Sequence, residues 1–88
     1  MSMRIWYKMV TNNHIVKETV VEQNEDISRT KKIFASLEEV CHKWDLAVPI
    51  WLDSIVKDFK YHAKARFYQD AFPETIEFDF LEIQVIEE

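Results

Sequence analysis

Eighty-eight residues make one domain, near the size at which a single hydrophobic core suffices, and 48% apolar content with twelve aromatics argues for a folded chain. The chain has no glycine, where an average composition supplies about 7%; this excludes P-loop, Rossmann, nucleophile-elbow and GXXG motifs, each of which needs positive-φ or closely approached backbone. The net charge of −5 is uneven: residues 1–72 sum to +1, whereas residues 73–88 hold six acids and no Lys or Arg, which disfavours global binding to nucleic acid or an anionic membrane.

No run approaches the roughly 18 apolar residues of a membrane span. The opening MSMRIWYKMV mixes charge with apolar residues and lacks the apolar core of a signal peptide. The lone cysteine, Cys41, excludes an intramolecular disulfide. These features set the expectation of a cytoplasmic protein with no membrane association.

In chain order, Met3 to Val10 alternates, with Met3, Ile5, Tyr7 and Met9 on one side and Arg4, Trp6, Lys8 and Val10 on the other. His14 to Glu22 is rich in β-branched residues, and Asn12-Asn13 suits a type I′ turn between two strands. A uniform two-residue hairpin pairs Val10 with Ile15, Met9 with Val16 and Ile5 with Val20. It leaves Trp6, Val10, Ile15 and Val21 as an apolar outer face.

Asp26 or Ser28 caps a predicted helix running to about Trp44, with Ile33, Phe34, Leu37, Val40 and Cys41 on its apolar stripe. After a connector containing Pro49, Asp53 or Ser54 caps a second helix. Its stripe is Leu52, Ile55, Val56, Phe59 and Ala63. At roughly 100° per residue Arg66 and Asp70 would continue that stripe, so the helix either breaks after His62 or buries charge; a break into two short helical pieces is the preferred reading. Pro73 ends helix at or before Phe72. In TIEFDFLEIQVIEE, Ile76, Phe78 and Phe80 share one side before Leu81, Ile83 and Val85 take over. That phase change marks a bulge or break at Phe80-Leu81. The expected fold is α+β, in the order β-β-α-α-β. A three-stranded, mainly antiparallel sheet, order 2-1-3, would carry two helices on one face.

VPIWLDSIVKDFKYHAKARFYQDAF followed by FDFLEIQVIEE, together with EDISRTKK, resembles a group of short, functionally uncharacterised proteins of clostridia-like Gram-positive bacteria. The likeness covers nearly the whole chain, with Pro73 as a departure. It implies a bacterial, cytoplasmic origin and carries over no activity or functional residue.

Three functional readings remain. Helices on one side of a sheet should leave polar residues on the other, so an apolar patch of Trp6, Val10, Ile15 and Val21 suggests a partner surface. It points to a non-catalytic interaction module, a homodimer or a partner of another protein. A second reading uses Lys57, Lys60 and Lys64, interleaved with Tyr61 and Tyr68, to track a single-stranded nucleic acid; the acidic tail counts against it. A third is a small enzyme with His62 oriented by Asp58 and joined by Arg66 and Asp70 in a cleft between the helices. No Ser or Cys nucleophile is placed beside them by sequence. Cys41 lies on a buried stripe, His42 points about 100° away from it, and His14 sits by a turn. No HxxxH or CxxC spacing exists, and neither a metal site nor a cofactor is expected.

Overall fold

The computed structural model describes residues 2–88. A hairpin, β1 (Met3–Thr11) and β2 (His14–Gln23), leads into two helices, α1 (Arg29–Lys43) and α2 (Asp53–His62). A short strand β3 (Lys64–Phe67), a 3-10 turn (Gln69–Ala71) and strand β4 (Phe80–Glu87) complete the chain. The fold is α+β with an antiparallel sheet, as expected. The sheet has four strands and not three, and its order, β2-β1-β4-β3, differs from the expected 2-1-3. The additional strand is β3, which pairs only with β4 and forms the second edge.

A left-handed residue makes that strand possible. Helix α2 ends at His62, where Ala63 adopts φ 53° and ψ 26° and its N–H donates to the Phe59 carbonyl. The chain reverses there, and the Ala63 carbonyl accepts from Val85 N–H at 2.9 Å, starting the alignment with β4. Helical spacing then gives way to alternation by two: Ala65 and Phe67 turn into the core, Lys64 and Arg66 away from it. The helix does break after His62, but the following piece is a strand, not a second helical segment.

Other chain reversals follow the same logic of positive φ without glycine. Asn12 (φ 51°) and Asn13 (φ 65°) make the two-residue hairpin turn. Helix α1 starts at Ser28, whose Oγ accepts from Lys31 N–H. It ends in a Schellman arrangement with Asp45 at φ 55°, the Leu46 N–H donating to Cys41 O at 2.7 Å and the Asp45 N–H to His42 O at 3.3 Å. Asp53 and Ser54 do not cap α2; the N-cap is Leu52, which makes no side-chain capping bond.

The hairpin register departs from the uniform one. Val10 pairs with Ile15, but Met9 pairs with Lys17 and Ile5 with Val21, which leaves Val16 as the extra residue of a β-bulge. The slip turns Val21 into the core and Val20 out of it. The core lies between the sheet and both helices, built from Ile5, Tyr7, Leu37, Val40, Phe59, Phe67, Leu81 and Ile83 among others. Trp51 joins its layers, meeting Phe59 and Phe67 edge-on at 5.5 and 4.9 Å between ring centroids. A buried polar pair ties β1 to α1. Ser36 Oγ donates to Ile33 O at 2.9 Å, so Tyr7 Oη is the donor to Ser36 Oγ.

Ile76 and Phe78 precede β4 as non-strand residues packed partly on the core, so the Phe80-Leu81 phase change marks the start of a strand. No helix among the described residues is long and apolar enough to cross a membrane.

Ala63 pays a steric penalty in the left-handed region that glycine does not. Ala63→Gly is therefore expected to raise stability by about 0.5–1 kcal/mol, after the extra backbone entropy that glycine loses on folding. The melting temperature should rise by a few degrees; a fall in both thermal and urea midpoints would contradict this account of the turn.

Candidate functional site

Among the described residues, no helix or strand covers the sheet face turned away from α1 and α2. The strand registers place the side chains of this face in four rows running across the strands, one outermost row being Glu22, Arg4 and Glu87. Lys8 is opposite Glu18 on one side and Glu82 on the other, and Glu82 is opposite Arg66. The inner row through Lys8 therefore reads Glu18, Lys8, Glu82, Arg66, with the sign of charge alternating through all four strands. Next to it run Val20, Trp6, Gln84 and Lys64. On the other side lie Ile15, Val10 and Phe80, with Tyr68 against Phe80 at 5.4 Å between centroids.

Glu82 is the centre of this face. Its carboxylate is only 6% exposed although no element covers it, because Lys8 and Arg66 close over it from the flanking strands. Lys8 Nζ forms an ion pair with Glu82 Oε2, and Arg66 Nε donates to Glu82 Oε1 at 2.9 Å. Lys8 also donates to Gln84 Oε1 at 3.2 Å and stands 3.9 Å from the centre of the Trp6 ring. The Trp6 indole N–H donates to Glu18 Oε1 at 3.0 Å, and the Arg66 guanidinium lies 4.5 Å over Phe80. Lys8 and Arg66 thus each have both an opposite partner and an aromatic neighbour.

Burial pushes the Glu82 pKa up, but the bonds from Lys8 and Arg66 outweigh it and hold the group below the ordinary carboxylate range. Tyr68 first, and Glu82 second, hold Arg66 further above its usual range.

The residues singled out from the sequence are scattered. Trp6 lies half-buried on the open face, and Val10 lies beneath its neighbours there. Ile15 is 47% exposed, while the bulge removes Val21 from this face. Lys57, Lys60 and Tyr61 are exposed on α2, but Lys64 belongs to β3, so the basic residues do not share one helix face. His62 is the exposed last residue of α2. With Asp58, Arg66 and Tyr68 it lines a shallow groove at the β3 edge. Asp70 lies in the 3-10 turn and does not line that groove; the carboxylate held by Arg66 is Glu82.

Cys41 is fully buried, and burial pushes its thiol up to about 11, the environment of a structural cysteine. Among the described residues no three His, Cys, Asp or Glu side chains are grouped so that they could hold a metal ion.

Lys8 and Glu82 were not singled out by sequence reasoning. A signal was present: each is a lone charge inside an apolar strand, Ile5–Val10 and Phe80–Ile86, and the two have opposite signs. Their meeting depends on long-range pairing, which periodicity does not report. The geometry defines a class: a small α+β protein with one helix-covered sheet face and one open face organised by charge. Comparison with known proteins finds no matching family model, no matching curated protein and no matching solved structure.

Removing the Glu82 charge leaves Lys8 half-buried without its main partner. Glu82→Gln is expected to destabilise the fold at pH 7 by about 3 kcal/mol. The folded-state pKa of Glu82 is depressed, so its contribution is present above the unfolded value near 4.5 and lost as pH falls through the folded value. The gap between wild type and Glu82→Gln should accordingly narrow in urea titrations taken below pH 4.5; a gap unchanged down to pH 2 would contradict the assignment.

Proposed function

We propose that this protein is a small non-catalytic interaction module that forms a homodimer through its open sheet face. The observation that carries the reading is the alternating row Glu18, Lys8, Glu82, Arg66. A row of four alternating charges is self-complementary under one kind of two-fold axis. With the axis parallel to the strands and midway between β1 and β4, β2 of one copy faces β3 of the other, and β1 faces β4. Glu18 then meets Arg66 and Lys8 meets Glu82, twice each. An axis running along the row would instead set every charge against itself.

The same axis sets Val10 against Phe80 in one flanking row and Trp6 against Gln84 in the other. Ile15 and Val20 are 47% and 42% exposed, and with Trp6, Phe80 and Tyr68 they supply apolar and aromatic contact on both sides of the charges. The face itself is electrically balanced: Arg4, Lys8, Lys64 and Arg66 against Glu18, Glu22, Glu82 and Glu87. The excess negative charge of the chain lies elsewhere, so two copies can approach through this surface without its full repulsion.

Sedimentation is expected to give a dimer at high micromolar concentration. Glu18→Lys and Arg66→Glu each create two like-charge contacts in the dimer and should weaken it by about 10- to 100-fold. The double variant restores opposite charges across the axis and should recover dimerisation. Within one chain the double variant repairs neither the Trp6–Glu18 bond nor the Arg66–Glu82 pair, so recovery cannot come from the fold of the monomer. A monomeric wild type, or singles and double dimerising alike, would overturn the proposal.

A further inference from the structure

On the other side of the molecule, α1 and α2 leave a cavity of about 160 Å³ between them. Its apolar walls are Ile33, Phe34, Trp51, Val56 and Phe59, and its charged lining residues are Arg29 and Lys60. Two observations converge on one ligand chemistry. The volume matches that of a cavity known to accept a benzene-sized body, at about 150 Å³. Both charged residues are cations and no acid among the described residues lines the cavity, in a chain where acids outnumber Lys and Arg by sixteen to eleven.

The cations remain able to bind. Arg29 meets Glu88 through Nε at 2.6 Å, which uses one of the five N–H donors of its guanidinium. Its guanidinium carbon stands 5.5 Å from the Phe59 ring centre, in line with the apolar wall. Lys60 is exposed on α2, where its ammonium can swing over the mouth. Phe34, 48% exposed, leaves an aromatic ring at the opening, 6.0 Å from that of Trp51.

We infer that this cavity binds a small carboxylate with a compact aromatic or branched apolar body. The body fills the space among Phe34, Trp51 and Phe59, and the carboxylate accepts charge-assisted hydrogen bonds from Arg29 and Lys60. The site is independent of the dimer, since it lies on the helical side of the sheet and contains no residue of the open face.

Phenylacetate is a suitable probe, followed by ¹H–¹⁵N NMR on the full chain, with phenylacetamide as its neutral counterpart. Phenylacetate should bind saturably with a dissociation constant on the order of 1 mM. Shifts should centre on the cavity residues and include the Trp51 indole N–H. The amide should bind about tenfold more weakly, because it lacks the charge. Lys60→Glu should weaken phenylacetate at least fivefold. Lys57→Glu makes the same change of charge on the same helix, outside the cavity lining, and should leave binding nearly unchanged. The inference is overturned by no saturable shift up to about 10 mM, an order above the expected constant, by equal affinity for acid and amide, by equal weakening in both lysine variants, or by shifts centred elsewhere. Repeating the titration on Arg66→Glu separates the proposals: binding there is expected whatever the oligomeric state.

Discussion

Glu82 ties three strands together. As a residue of β4 it receives Lys8 from β1 and Arg66 from β3, so one carboxylate spans the whole inner part of the sheet. The pairing of β3 needs such support, because this strand is four residues long and sits at an edge. Its inward side chains, Ala65 and Phe67, anchor it to the helical layer, and Arg66 anchors it on the opposite face. Burying an ion pair rarely favours folding by itself, since the desolvation cost absorbs the Coulombic gain. Here the cost falls mainly on the carboxylate and is offset by the bonds from Lys8 and Arg66, while Arg66 keeps much of its contact with water. What the pair contributes most clearly is register: a one-residue slip of β4 would point Glu82 into a core of Tyr7 and Phe67 and turn Leu81 out of it.

The lack of glycine shapes the rest of the chain. Among the described residues the four with positive φ are Asn12, Asn13, Asp45 and Ala63. The first three have short polar side chains that tolerate this region. Ala63 has no such help, and it occupies the position at which helix must become strand. Its geometry is held by what surrounds it, with Phe59 accepting from its N–H and Val85 donating to its carbonyl. The turn is specified by tertiary pairing more than by local preference.

That distinction explains how much of the molecule was legible beforehand. The Asn-Asn turn, the amphipathic α1 and the alternation of β1 are local patterns, and each stands in the fold. The end of α2 at His62 was legible too, through the conflict between helical spacing and the charge of Arg66. β3 was not: four residues, Lys64–Phe67, are too few to separate a period of two from one of 3.6, and none is β-branched. The hairpin bulge escaped because Val16, Val20 and Val21 are interchangeable by hydrophobicity, so only pairing with β1 decides which valine enters the core. The open face suffered most from this, because the bulge and β3 together determine its composition. An expected apolar patch became a charge row with apolar flanks.

The difference matters for what such a face can do. A purely apolar sheet surface favours burial against any apolar partner and carries an aggregation hazard in the free chain. Lys8 and Glu82 are already paired and largely out of water within one chain, whereas Glu18 and Arg66 are exposed and would leave water only for an opposite charge at short range. The cost of a mismatched approach is high, because sliding one copy by a single strand spacing, about 4.8 Å, sets like charges together. The row thereby discriminates among orientations, and Trp6, Val20 and Phe80 supply the apolar contact that discrimination alone does not. The two halves of this division of labour come from opposite edges of the fold: the bulge in β2 brings Val20 outward, and the left-handed turn at Ala63 delivers Arg66. Each irregularity also serves the core, turning Val21 and Phe67 inward, and together they build the open face.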